Sequence, residues 1–210
     1  MNKIIFIGRS VKFIDIFLNK FHNNSYYVIP WRQINNFIDH DFDYDQIRNP
    51  KIIVICGYDY SSSYSNYENY IESTVNRPIK LIKKINSVKT KIIYINTDYK
   101  NTKKYTFSRY LFAKNLLANH LIRNFKNVRI LKIKTLTDNN GRLLIYGNFF
   151  SKFFFSIAKY FGLIKTISIE EFIKLINKKN PNDNSCTMSS ILLKIPRSLL
   201  LDRLLRIIFG

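Results

Sequence analysis

The sequence predicts an α/β fold in which helices cover both faces of a mostly parallel sheet. Three observations lead there. Short, continuous, β-branched runs recur at Ile4–Ile7, Ile52–Ile55 and Ile92–Ile95, and such runs without polar alternation mark strands buried on both faces. Stretches with apolar residues at helical spacing separate them. Strand and helix alternate at least four times, and parallel neighbours require the long crossovers that such helices supply.

Taken in order, Lys3 to Gly8 reads as a first strand closed by a glycine. Val11, Phe13, Ile14, Ile16, Phe17, Leu18 and Phe21 then fall at helical spacings, with Ser10 as a candidate N-cap. Ser25 to Pro30 predicts a second strand, and the acidic stretch from Asp39 to Asp45 a loop. Lys51 to Gly57 repeats the buried-strand signature, and a serine-rich turn at Ser61 to Ser65 precedes a long helical stretch from about Tyr67 to Val88. Pro78 is expected to kink or divide that helix, because proline lacks the amide donor and clashes with the preceding turn. Lys91 to Asn96 predicts a strand, Tyr110 to Phe125 a helix, and Val128 to Ile133 a further strand.

Composition bounds the functional classes. The 210 residues allow one ordinary domain with a small appendage. Only 6 glycines and 5 prolines exclude a linker-rich chain. Cys56 and Cys186 lie far apart with no metal-ligand spacing, and His22, His40 and His120 are dispersed, so no metal site is expected. The first apolar run is too short for a signal peptide and no small-residue cleavage site follows, which predicts a cytoplasmic chain. A net charge of +20 points to anionic partners. That charge is diffuse, and part of it follows from a Lys-, Asn-, Ile- and Tyr-rich composition of the kind AT-rich coding produces. Nucleic acid is disfavoured, because no Cys/His finger, zipper or aromatic RNA-binding strand accompanies the charge.

The chemistry-bearing stretch is Lys91 to Lys114. A strand ends at Thr97, and thirteen residues later Tyr110-Leu-Phe-Ala-Lys114 opens a helix. A tyrosine hydroxyl works as acid or base near neutrality when a cation favours its phenolate, and residues four apart share a helix face. A second Tyr-x-x-x-Lys, Tyr99 to Lys103, lies in a polar stretch that reads as loop, so it cannot fix the orientation of its two groups. Where strands are parallel, ligands collect beyond their carboxyl ends, which places Gly8, Gly57 and Thr97 at one crevice.

Together these residues resemble the short-chain dehydrogenase/reductase superfamily, in its sugar-nucleotide epimerase, dehydratase and reductase branch, over residues 3–176. The resemblance implies a Rossmann-like, doubly wound sheet and binding of NAD or NADP. It also implies roles: Tyr110 as acid/base, Lys114 lowering its pKa and holding the nicotinamide ribose, and Thr97 bonding the reacting oxygen. Gly8, Arg9, Ser10 and Gly57 would lie along the cofactor. Tyr110-Leu-Phe-Ala-Lys-Asn-Leu-Leu-Ala-Asn looks like the family helix, Asn127-Val-Arg-Ile-Leu-Lys-Ile like its next strand, and Lys165 to Ile176 like the short strand and acidic helix start beneath the sugar-nucleotide pocket.

The chain also departs from the family pattern. Glycines expected three and six positions after Gly8 are replaced by Val11 and Ile14, where side chains would crowd a dinucleotide. Trp31-Arg32 stands where an acidic residue often holds the adenosine ribose, and Arg32 there would meet a 2′-phosphate and favour NADP. Thr74-Val75 replaces a family asparagine. Only 75 residues follow Thr135, little material to enclose a nucleotide sugar, so a pared-down pocket or a second subunit is expected.

The expected division is a nucleotide-binding domain at 1–140, a small substrate-side subdomain at 141–180, and a linker with a basic amphipathic helix at 181–210. Leu143 to Ile164 carries eight Phe and Tyr residues, but Lys152 and Lys159 interrupt it, favouring an amphipathic helix over a membrane span. In the tail, leucines line one side and Arg203 and Arg206 another. It fits docking on the domain, a homodimer contact, or peripheral attachment to anionic lipid at the inner face of the cell membrane. Two functions follow: NAD(P)-dependent modification of a nucleotide-sugar substrate for surface polysaccharide synthesis, or a non-catalytic Rossmann-like module binding an anionic ligand or partner.

Overall fold

The computed structural model describes residues 3–8, 11–20, 24–38, 43–56, 67–97, 109–138, 140–144, 149–161 and 166–177. They group into two compact units. The first takes the residues up to Asn96 and those from Ala113 to Leu131; the second takes Thr97–Phe112 and the described residues from Lys132 onward.

The first unit is built on strands β1 (Lys3–Ile7), β2 (Ser25–Ile29), β3 (Ile52–Ile55), β4 (Lys91–Thr97) and β5 (Val128–Ile133), in the spatial order β2-β1-β3-β4-β5. Neighbours from β2 to β4 are parallel, with Ile7 opposite both Ile29 and Ile55, and Ile55 opposite Tyr94. Their carboxyl ends therefore share one edge. Because β2 and β3 flank β1 on opposite sides, the topological switch lies beside β1. The sheet is the mostly parallel, doubly wound one that the alternation predicts.

Strand alternation sorts the side chains onto two faces. Ile5, Ile7, Ile53, Ile55, Ile92, Tyr94, Val128 and Ile130 form one, and they make a single buried cluster whose other members include residues of three helices. Those helices are α2 (Ile34–Ile38), α4 (Arg77–Ile85) and α5 (Arg109–Asn124), entering through Ile34 and Phe37, Ile79 and Ile82, and Leu117 and Leu121. On the opposite face Phe6 meets Phe17 of helix α1 (Val11–Lys20) edge to face, with ring centroids 6.1 Å apart. Each isoleucine so buried contributes roughly 1.5–3 kcal/mol.

Pro78 divides its helix in an informative way. Helix α3 (Tyr67–Ile71) runs through a π-helical turn, Glu72–Asn76, into α4, whose first turn holds Pro78. In a π turn the carbonyl of residue 73 should receive the amide of residue 78, but proline has none. The Trp31 indole fills that role, donating to the Ser73 carbonyl at 3.1 Å. The helix stops at Ile85, three residues before its expected end. The sequence periodicity also misses α2 and the 3-10 turn Trp31–Gln33 before it, segments too short to show a period.

Across the π turn the Glu72 carboxylate accepts from Lys80 Nζ at 2.8 Å and Asn76 Nδ2 at 2.7 Å. These donors, Lys80 first, hold its pKa below the ordinary 4.5. A carboxylate depressed in the folded state stabilises above its unfolded pKa and loses that stabilisation as pH falls through the folded one. Glu72→Gln is therefore expected to cost about 0.2–1 kcal/mol at neutral pH, the range for an exposed pair. Denaturation midpoints of variant and parent should converge well below pH 4.5; a gap that persists there would assign the effect to packing.

In the second unit, β6 (Thr135–Thr137) pairs in parallel with β7 (Thr166–Ser168), Leu136 opposite Ile167. Helix α6 (Phe149–Tyr160) lies between them in sequence. Helix α7 (Ile169–Asn177) opens with a capping box: the Glu171 amide donates to Ser168 Oγ at 3.2 Å, and the Ser168 amide to Glu171 Oε2 at 3.1 Å. This short strand with an acidic helix start matches the expectation for Lys165 to Ile176. Among the described residues no helix is long and apolar enough to cross a membrane.

Candidate active site

The site begins with Gly8. After β1 the backbone turns with φ of 112° at Gly8, while its amide still donates to the Ile29 carbonyl of β2 at 2.9 Å. Only glycine adopts that conformation readily. Gly8→Ala is expected to lower stability by about 1–3 kcal/mol, read as a shift in urea midpoint; an unshifted midpoint would mean that the turn is not held as described.

This turn supplies what a dinucleotide site needs of its first glycine, a tight reversal at the carboxyl end of the first strand. At the third glycine position, Ile14 is buried in the packing of α1, so this contact accommodates a larger side chain. Val11 starts α1 at the second position, where close approach of a pyrophosphate asks for glycine. Its side chain, all of Arg9 and Ser10, and Gly57 lie outside the described residues. Arg32 is exposed in the 3-10 turn that follows β2, the edge at which an adenosine ribose would be held.

The second group of residues comes from β4 and α5. Tyr94 and Asn96, two apart on β4, face α5: Lys114 Nζ stands 5.7 Å from the Tyr94 ring centroid, and Asn96 Nδ2 donates to Asn115 Oδ1 at 3.2 Å. The N-terminal half of α5 thus lies against the carboxyl end of β4. Lys114 is only 8% exposed. A lysine is rarely buried without partners, and the ring face offers a cation about 0.5–2 kcal/mol. Tyr110 and Lys114 occupy one continuous helix, four positions apart, and Thr97 is the last residue of β4. The side chains of Tyr110 and Thr97 lie outside the described residues.

Sequence reasoning missed Tyr94, Asn96 and Asn115. The available signal was the two-residue spacing on a strand ending in a candidate site, together with an amide directly after Lys114. Thr74, which stands in place of a family asparagine, is buried and donates its hydroxyl to the Tyr70 carbonyl within the helix. Among the described residues no group of His, Cys, Asp and Glu could hold a metal ion.

No protein-family model matches the chain, and no curated protein matches it by sequence. Solved structures do match. The dTDP-4-dehydrorhamnose reductase of Bacillus anthracis, in complex with NADP, aligns at 15% identity over 84% of this chain and 70% of its own, with a TM-score of 0.52. The ADP-L-glycero-D-manno-heptose-6-epimerase of Helicobacter pylori aligns at 11% identity over 82% and 71%, with a TM-score of 0.55. A short-chain dehydrogenase family protein of Francisella tularensis aligns at 14% over 88% and 93%, with a TM-score of 0.51. The order β2-β1-β3-β4-β5 suits either a flavodoxin-like sheet or a Rossmann sheet lacking its outermost strand, and these similarities favour the second. The chain has the Rossmann-like fold seen in short-chain dehydrogenase/reductase structures.

Proposed function

We propose that this chain is an NAD(P)-dependent enzyme that epimerises or reduces a nucleotide-sugar substrate, in the synthesis of a surface polysaccharide. The observation that carries the proposal is the buried Lys114, seated against Tyr94 on the helix that presents Tyr110 one turn earlier. In this reading the Tyr110 hydroxyl exchanges a proton with a sugar hydroxyl or carbonyl, and the Lys114 ammonium favours its phenolate. Thr97 donates a hydrogen bond to the reacting oxygen. The turn at Gly8, with Arg9, Ser10 and Gly57, borders the cofactor phosphates, and Arg32 meets a 2′-phosphate, which favours NADP. When bound, the nicotinamide supplies the hydride chemistry. The polysaccharide assignment draws on the sugar-nucleotide enzymes whose fold this chain shares. The division at 140 and 180, a cytoplasmic location and a homodimer belong to the same proposal.

A second reading, a non-catalytic module for an anionic ligand or partner, is favoured by Val11 and Ile14 at the glycine positions. Titration of the folded protein with NADPH and NADH separates the two. The enzyme reading expects saturable binding below about 1 mM, weakened on the order of tenfold by Lys114→Met. No binding of either nucleotide at about 10 mM would overturn it and leave the binding module.

A further inference from the structure

We propose that helix α6 is a docking surface for an anionic lipid bilayer, lying in the membrane interface through a stripe of exposed aromatic residues. Tyr160 is 86% exposed, Phe161 68%, Phe153 53% and Ile157 37%. A folded protein rarely leaves such residues adjacent in water. They are contiguous: the Phe161 amide donates to the Ile157 carbonyl at 3.0 Å, so the helical ladder continues through Phe161. Positions 153, 157, 160 and 161 then fall within an arc of about 100°. The Tyr160 and Phe161 rings meet edge to face, centroids 5.4 Å apart, and form one aromatic ledge.

The spacing puts Lys159 on the opposite side of the helix from the stripe. Lys159 there donates to the Gly141 carbonyl in the same unit. An aromatic face outward with a cation behind it is the arrangement of a helix that lies in the headgroup region.

Charge decides which occupant fits. From residue 139 to residue 169 the chain carries Arg142, Lys152, Lys159 and Lys165 and no acidic residue, within a protein of net charge +20. A second copy of this surface would bring like charges together, whereas an anionic lipid face attracts each cation lying within about a Debye length. Length excludes spanning: the 12 residues of α6 reach about 18 Å, short of the roughly 30 Å hydrocarbon core. No residue of the stripe belongs to the candidate active site, so the surface stands whether or not the chain is an enzyme.

The test is co-sedimentation of the full chain with vesicles of phosphatidylcholine alone or mixed with phosphatidylglycerol. We expect partitioning into the anionic vesicles, reduced by high salt. The combined change Phe153→Ser, Tyr160→Ser and Phe161→Ser should weaken it on the order of tenfold or more, with an unchanged far-UV spectrum. A variant that keeps the apolar character, Phe153→Trp, should show a blue-shifted tryptophan emission on anionic vesicles, quenched by brominated lipid. Absence of that shift, or full binding by the serine variant, overturns the proposal. So does loss of binding in Arg203→Glu with Arg206→Glu while the serine variant binds normally, since the tail would then be the attachment. If the parent is a dimer that the serine changes dissociate, and no vesicle binding occurs, the occupant is a second copy.

Discussion

Tyr110→Phe is expected to reduce turnover of a nucleotide sugar by a factor of about 10²–10⁴ while leaving far-UV spectrum and denaturation midpoint unchanged. The change removes one hydroxyl from the first turn of α5 and keeps the ring. Its effect on the reaction is expected to be large because Tyr110 is the acid/base of the proposed mechanism, in which Thr97 and Lys114 have other roles. Parental turnover in the phenylalanine variant would exclude this acid–base chemistry, and with it the enzyme reading as stated. Nucleotide binding should survive the substitution, so binding and turnover assays report on different residues.

Ile53→Ala should cost about 2–5 kcal/mol, a large part of the roughly 5–15 kcal/mol that holds a domain folded. Ile53 is fully buried on β3, the central strand, paired with Ile5 of β1 on one side and Ile92 of β4 on the other. Its side chain belongs to the cluster that joins the sheet to α2, α4 and α5. Truncation loses transfer free energy and leaves a cavity that two flanking strands cannot readily close. Urea denaturation should show a lower midpoint at unchanged slope. Val88→Ala, at a position 76% exposed, should stay within about 0.5 kcal/mol of the parent. Equal midpoints for the two variants would contradict the packing of this face.

Much of the fold is legible because its signals are local. Three short β-branched runs and the helices between them can be read without partners, since a strand buried on both faces must be apolar at nearly every position. The capped helix after Ser168 shows in the Ser-x-x-Glu spacing alone, as both hydrogen bonds of the box close within four residues. Helix α2 was not legible, because five residues give no period and its burial comes from distant partners on α4. The proline shows that the helix must kink or divide, but not how: the π turn is viable because Trp31, 42 positions before Ser73, supplies the missing donor.

The candidate site divides along the same line. Sequence by itself determined the spacing of Tyr110 and Lys114 on one helix, the strand ending at Thr97 and the glycine closing β1, because each depends on neighbours along the chain. Only the tertiary structure decided that Lys114 is buried beside Tyr94, that Asn96 reaches Asn115, and that Ile14 is absorbed in packing. It also decided that Phe153, Ile157 and Tyr160 of α6 stand in solvent. Periodicity reports which residues share a face; what that face meets depends on segments far away in the chain, whose approach no local pattern encodes.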